Sequence, residues 1–492
     1  MISDSLLRAR TFEQKYIEFQ DPKRPCFHVT GTVGWINDPN GFSVYKGEYH
    51  LFYQYHPYSK EWGPMHWGHV KTKDFIRWER LPAALAPDTE ADRDGCFSGS
   101  ALELEDGRQL LMYTGVYKET GEDLEIREYQ RQSIALGDGI NYVKYEGNPV
   151  LDADDLPEGG SLYDFRDPKI WKEGGSFFAV VANRAADESG SVLLFRSEDG
   201  FYWKYVKILV SNHDEFGKMW ECPDFFSLDG EQVLVVSPQD MVPMGLEFHA
   251  GNGVVCMMGG WDREKCSFQR ERAQSMDYGI DFYAPQTVET IDGRRVMIAW
   301  MQNWATSRCQ DPTADFFGMM TVPRELGIRN GRLIQNPVRE LENYRQNRVT
   351  YQNVLVNRQM NLAGIFGRVM DLTVQVRPAT EMGYAYFQLN VGEDGEHGAF
   401  ICYEPGSSIV KVDRTRSGGC FDIVHERSFF VRPQEGRVKI RVVMDKNSLE
   451  IFVNDGEQAA SFLLYSPVTA QAVSFGARGA ALMDVEKYDL VV

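Results

Sequence analysis

Short apolar runs recur along the first two thirds of the chain, and each follows a turn that contains glycine. Five segments share this pattern: Ser43–Tyr53, Leu104–Tyr113, Ile170–Val181, Phe226–Val236 and Thr290–Trp300. Apolar residues on both sides of a Gly turn, in runs too short for helices, predict β-hairpins. The turn glycines Gly47, Gly107, Gly174, Gly230 and Gly293 stand 60, 67, 56 and 63 residues apart. A second hairpin signal follows the first three, at Asp74–Trp78, Asp138–Tyr142 and Asp199–Trp203, each with an aromatic residue four positions after an Asp. Two hairpins per period make a four-stranded blade, and five periods within residues 25–340 predict a five-bladed β-propeller. A TIM barrel would need eight amphipathic helices, and these segments are too short and too often broken by turns to supply them.

After about residue 345 the period stops, but strand-like alternation continues, as in Arg437–Met444, with turns such as Asn454-Asp455-Gly456. Short strands over the remaining length predict an appended β-sandwich. The expected fold is all-β. A propeller domain spans residues 1–340, a polar linker drawn from the Pro337–Gln352 stretch, with helix an option, spans 341–355, and a sandwich spans 356–492.

Composition then narrows the function. Lys and Arg number 52 against 71 Asp and Glu, a net charge of −19, which argues against nucleic acid or an anionic membrane as the main partner. Aromatic residues make up 13% of the chain, which suits aromatic-lined β structure and a neutral stacking ligand such as a sugar. The first twenty residues are interrupted by Arg8, Arg10, Glu13, Lys15 and Glu18, so no signal-peptide core is expected, and no apolar run approaches membrane-spanning length. The eight cysteines form neither Cys-x-x-Cys pairs nor zinc-ligand spacings, so reduced thiols and a cytoplasmic location are expected.

Counting back seven to nine residues from each turn glycine reaches Asp38, Ser98, Asp167, Glu221 and Ala284, four of them followed closely by Pro39, Pro168, Pro223 or Pro285. In a propeller these positions lie on the innermost strand, an edge strand that tolerates proline. Asp38, Asp167 and Glu221 should therefore meet at one mouth of the central channel. Asp before Pro is also a common turn cap, and three acids could hold a metal. A hard cation usually needs more oxygen ligands than three carboxylates give, and no Asp-rich loop supplies them. Carboxyl groups held close drive their pKa values apart, so one can act as an acid while another stays ionised. Two carboxyl groups flanking an anomeric carbon are the apparatus of glycoside hydrolysis, with sugar transfer, phosphorolysis and binding without chemistry as alternatives.

The chain resembles glycoside hydrolase family 32, the invertases, sucrose-6-phosphate hydrolases and exo-fructanases. The resemblance is carried by Trp35–Gly41, Phe52–Tyr55, Trp62–Gly68, Phe97–Ser100, Phe165–Lys169, Trp220–Asp224 and Asp281–Gln286, and by Ser448–Gly456 in the sandwich. It implies a retaining β-fructofuranosidase acting on sucrose or short fructo-oligosaccharides, without cofactor or metal. Asp38 would be the nucleophile, Glu221 the acid/base with a raised pKa, and Asp167 the residue that holds fructose hydroxyls. Asn37, Gln54, Ser98 and Arg166 would position the sugar, and Trp35, Trp62, Phe97, Tyr283 and Trp304 would wall the pocket. A small sugar would be the partner, with self-association left open. The charged stretch Lys118–Arg131 departs from the family pattern; if it borders the mouth, its acids would disfavour a phosphorylated leaving group. An exo-fructanase, a sucrose-6-phosphate hydrolase or a fructosyltransferase would share the three acids. A silent sugar-binding propeller would have no use for an acid–nucleophile pair.

Overall fold

The computed structural model describes residues 2–18 and 21–492, and in it the repeated segments form five antiparallel blades in sequence order. Their first strands are Gly34–Tyr45, Gly95–Glu103, Phe165–Glu173, Trp220–Leu228 and Tyr283–Glu289. Each of these touches the next around the ring, and the fifth touches the first. The five turn glycines all adopt positive φ, between 56° and 86°, a backbone region open to Gly without a Cβ clash. The repeated Asp of the second hairpin works as a turn cap. Asp74 Oδ1 accepts hydrogen bonds from the N–H groups of Ile76 and Arg77, Asp138 Oδ1 from Ile140 and Asn141, and Asp199 Oδ1 from Phe201 and Tyr202, all at 2.8–3.0 Å.

Two features lie outside the sequence expectation. A helix at Asp4–Gln14, capped by the Ser3 hydroxyl, packs Leu6 and Ala9 on Ala83 and Ala86 and covers the outermost strand of the first blade. Covering an edge in this way blocks stray strand pairing. Between the second and third strands of blade five, residues 301–323 make an excursion whose Phe316–Phe317 pairs in parallel with Gly34–Trp35. That pairing joins blade five back to blade one.

The C-terminal part packs a six-stranded sheet on a five-stranded one around an aliphatic core that includes Leu372, Phe387, Ile401, Ile451 and Phe475. Here the expected linker, 341–355, needs correction. Only a 3-10 turn, Arg339–Tyr344, connects the two parts; Arg345–Val356 is a strand, antiparallel to Ala481–Leu490. It is the outermost strand of its sheet and most of its side chains face solvent, so it lacks the buried alternate face that marks a strand in sequence. Propeller and sandwich are joined by buried charge. His28 lies 3.0 Å from both Asp445 and Glu450, and Arg324 binds Glu450 at 2.6 Å and Asp277 at 2.9 Å.

Candidate active site

Every first strand carries a β-bulge at the same height. Pairing with the second strand slips between Ile36 and Pro39, Phe97 and Gly99, Arg166 and Lys169, Glu221 and Asp224, and Tyr283 and Gln286. A bulge leaves residues unpaired, which suits proline, and re-aims side chains that would otherwise alternate across the sheet. At three of the five bulges the backbone reaches left-handed φ in a non-Gly residue: Asp167 at 63°, Cys222 at 48° and Ala284 at 51°. Strain of this kind persists only where the surrounding structure enforces it.

The prolines at four of these bulges correct the alignment of the blades. Aligned on Pro39, Pro168, Pro223 and Pro285, the equivalent positions are Asp38, Asp167, Cys222 and Ala284, so Glu221 sits one residue earlier, level with Asn37, Arg166 and Tyr283. Blades one, two and three each aim two consecutive residues, and blade four aims Glu221, at one end of the channel, where they meet a cavity of about 820 Å³.

Asp38 lies on the cavity floor. Its carboxylate accepts from Ser98 Oγ at 2.7 Å and Asn37 Nδ2 at 3.0 Å, and the Cys222 thiol approaches at 3.5 Å. Asp167 accepts from the Cys222 backbone N–H at 2.9 Å, and the same thiol stands 3.6 Å away. Glu221 Oε1 accepts from Arg166 Nε and Nη2 at 3.2 and 3.1 Å, and its Oε2 accepts from the Tyr283 hydroxyl at 2.7 Å. Burial, the Arg166 guanidinium and the two neighbouring carboxylates act together on Asp167. Desolvation outweighs the pull of the cation, and the charges of Glu221 and Asp38 add to it, raising Asp167 to about 7. Burial, then the charge of Glu221, also pushes Asp38 upward against its three hydrogen bonds. Asp38 is thus held above the ordinary carboxylate range.

Asn37, Gln54, Trp62, Phe97 and Ser98 all line the cavity, as do Arg166, Trp304 and the three acids. Trp62 is 43% exposed and stands edge-on to Phe97, with ring centroids 5.8 Å apart. Trp35 and Tyr283 do not wall the pocket as expected, being 2% and 1% exposed. Trp35 lies beneath it, stacked on Phe317 and donating from Nε1 to Asn37 Oδ1 at 2.7 Å, so it orients the asparagine that touches Asp38. Tyr283 reaches the site only through Glu221. Both belong to dense aromatic packing, which draws large rings inward even where a motif places them next to a site.

A further set of lining residues was not foreseen from the sequence. It comprises Gln130, Tyr163, Asp164 and Arg184 from blades two and three, with Gln239, Asp240 and Asn252 from blade four. Asp164, three residues before Asp167 in a recognised motif, was within reach of the sequence. The others come from strand ends and loops that only the closed ring brings together. The Lys118–Arg131 stretch forms a hairpin whose Arg127 and Glu128 line the cavity. The stretch does border the mouth, and it brings there an Arg as well as a Glu, with Arg184 beside them, so the charge is mixed. Among the described residues no group of three or more His, Cys, Asp or Glu is placed to hold a metal ion, and no helix is long and apolar enough to cross a membrane.

Comparisons with known proteins agree on the family. Residues 28–337 match the glycosyl hydrolases family 32 N-terminal domain, and residues 340–489 match the glycosyl hydrolases family 32 C-terminal domain. The chain is 37% identical over 458 residues to a sucrose-6-phosphate hydrolase of Zymomonas mobilis, covering 90% of this chain and 86% of that one. It is 35% identical over 471 residues to a raffinose invertase of Escherichia coli, covering 93% of each. Among solved structures, a GH32 β-fructofuranosidase of Bombyx mori superposes with a TM-score of 0.83 at 32% identity, covering 98% of both chains. A variant of that enzyme has been solved in complex with sucrose. On two family matches that together span nearly the whole chain, and on a fold that agrees with them, this protein belongs to glycoside hydrolase family 32 and is a glycoside hydrolase.

Proposed function

We propose that the enzyme hydrolyses terminal non-reducing β-D-fructofuranosides, sucrose and short fructo-oligosaccharides, with retention of configuration. Asp38 attacks C2 of the fructosyl unit while Glu221 protonates the departing glycosidic oxygen, giving a fructosyl ester on Asp38 and a free alcohol. Glu221 then takes a proton from water, whose oxygen attacks C2, and Asp38 leaves as carboxylate. Asp167 accepts hydrogen bonds from fructose hydroxyls. One observation carries this reading: carboxyl groups from three different blades meet in one cavity, and of the three only Glu221 accepts hydrogen bonds from both a guanidinium and a phenol. Ser98 and Asn37 orient the Asp38 carboxylate, which places the nucleophile before substrate arrives. The free state of all eight cysteines supports a cytoplasmic location.

Sucrose-6-phosphate is the second substrate to consider. Arg127 and Arg184 at the mouth favour it, as does the likeness to a sucrose-6-phosphate hydrolase. Product analysis after parallel incubation with sucrose, sucrose-6-phosphate, 1-kestose, inulin and levan decides the matter. Fructose from sucrose and 1-kestose, with much less from the polymers, is expected. No fructose from any of the five would overturn the reading.

A further inference from the structure

Arg166 divides its donors between two carboxylates. Nε and Nη2 bind Glu221, whereas Nη1 binds Asp164 Oδ1 at 2.5 Å and reaches Gln130 Oε1 at 3.3 Å. Asp164 is 92% buried, and its other oxygen pairs with Arg184 Nη2. Arg184 ends the second strand of blade three, half-exposed at the cavity mouth, and its backbone N–H donates to the Asp164 carbonyl at 3.1 Å. Asn183 Nδ2 donates to the same carbonyl at 2.8 Å, so Asp164 is fixed in place by its backbone as well as by its side chain. Gln130 already offers Arg166 Nη1 a neutral acceptor. What Asp164 adds is therefore a full negative charge, buried and set between two cations.

We infer that Asp164 is a positioning residue for the general acid: it shares the Arg166 charge with Glu221 and relays the state of Arg184, at the mouth, to the proton-donating carboxyl. The inference rests on the acid/base role proposed for Glu221. A guanidinium held by one carboxylate alone favours that group's ionised form more strongly than one shared between two. Without the Asp164 charge, Arg166, left with Gln130 on Nη1 and Asp167 3.9 Å from Nε, would bear harder on Glu221, which Asp38 and the Tyr283 hydroxyl also face, and would favour its carboxylate form. Without Arg184, Asp164 would draw Arg166 harder and the balance would move the other way. Asp164 touches no reacting atom, so its effect must appear where proton donation limits the rate and vanish where it does not.

The test compares wild type with Asp164→Asn, Asp164→Glu and Arg184→Gln in the full chain. Asp164→Asn keeps an acceptor for Arg166 Nη1 and loses the charge together with the acceptor that faces Arg184. The alkaline limb of its kcat/KM profile on sucrose should move down by about one pH unit, the size expected of one charge about two hydrogen bonds away. At a pH above the wild-type limb its kcat/KM on sucrose should fall about tenfold, whereas on an aryl β-D-fructofuranoside, whose leaving group needs no proton, it should stay within about twofold of wild type. Asp164→Glu should restore the wild-type limb, and Arg184→Gln should move it upward. Equal losses on both substrates with an unmoved limb would overturn the inference and leave the proposed function standing. Should Asp164→Asn fail to fold, the Arg184→Gln profile decides, and an unmoved or lowered limb there overturns the inference. A wild type that releases no fructose would sink both readings together.

Discussion

Replacing His28 with Gln tests how propeller and sandwich are held together. His28 lies ahead of the first blade, while Asp445 and Glu450 belong to the sandwich, and all three side chains are fully buried. A neutral imidazole carries one N–H donor, so ring nitrogens 3.0 Å from two carboxylates require the imidazolium form. Burial alone would lower its pKa; the hydrogen bonds and charges of Asp445 and Glu450 outweigh that and push it up to about 9. A pKa raised on folding from an ordinary 6.5 contributes stability that is fully present below about 6.5 and is lost as pH rises through about 9. At about 1.36 kcal/mol per unit this amounts to roughly 3 kcal/mol. Over the 492 residues of the chain, at about 2.1 cal/mol/K of unfolding entropy per residue, it corresponds to roughly 3 °C in Tm. The two carboxylates, both held below their ordinary range, add a loss of the opposite sense as pH falls through the acid range. In His28→Gln the neutral amide supplies no positive charge, and Asp445, unlike Glu450 with its Arg324, is left buried without a cation at a cost of about 3–5 kcal/mol. Melting curves followed by tryptophan fluorescence from pH 6 to 9.5 at constant ionic strength should show wild type losing stability across that window. The variant should be lower throughout and nearly flat. A wild-type curve as flat as that of the variant would refute the charged-imidazole account of the joint.

Asp38→Asn should stay folded, with an unchanged melting curve, and lose about 10⁴-fold or more in kcat on sucrose, measured by fructose release. Glu221→Gln should lose about 10³-fold on sucrose but far less on an aryl fructofuranoside; equal losses would refute its role as acid. Trp35→Phe keeps the stacking on Phe317 and removes the donor to Asn37 Oδ1, so kcat/KM should fall about tenfold, the size of one unmade buried hydrogen bond, with Tm nearly constant. An undiminished kcat/KM in this variant would mean that Asn37 needs no support from below.

The propeller was legible in the sequence because its determinants are local. A Gly turn between apolar runs and an Asp that caps a turn are short-range devices, and a period near 60 residues multiplies them. The three acids were legible for the same reason, each standing beside a recognisable proline or motif residue. Three other features depend on long-range contacts. Arg345–Val356 reads as linker because an edge strand with most side chains in water has no buried face to betray it. Trp35 and Tyr283 look like pocket walls because adjacent residues share a motif; only the packing of Phe317 and Ser237 shows that they point beneath the site. Asp164 and Arg184 come together by strand pairing within blade three, and they join Glu221 only through Arg166, across to blade four.

In the proposed mechanism a carboxylate of this chain attacks the fructosyl carbon and is then displaced from the opposite face, the one the leaving group vacated, so that configuration is retained. Sucrose hydrolysis in aqueous methanol traps the second step as a methyl fructofuranoside, whose anomeric configuration does not scramble and can be read by ¹³C NMR. The account predicts methyl β-D-fructofuranoside, formed by wild type and absent with Asp38→Asn. The α anomer, or β product from Asp38→Asn at the wild-type rate, would contradict it.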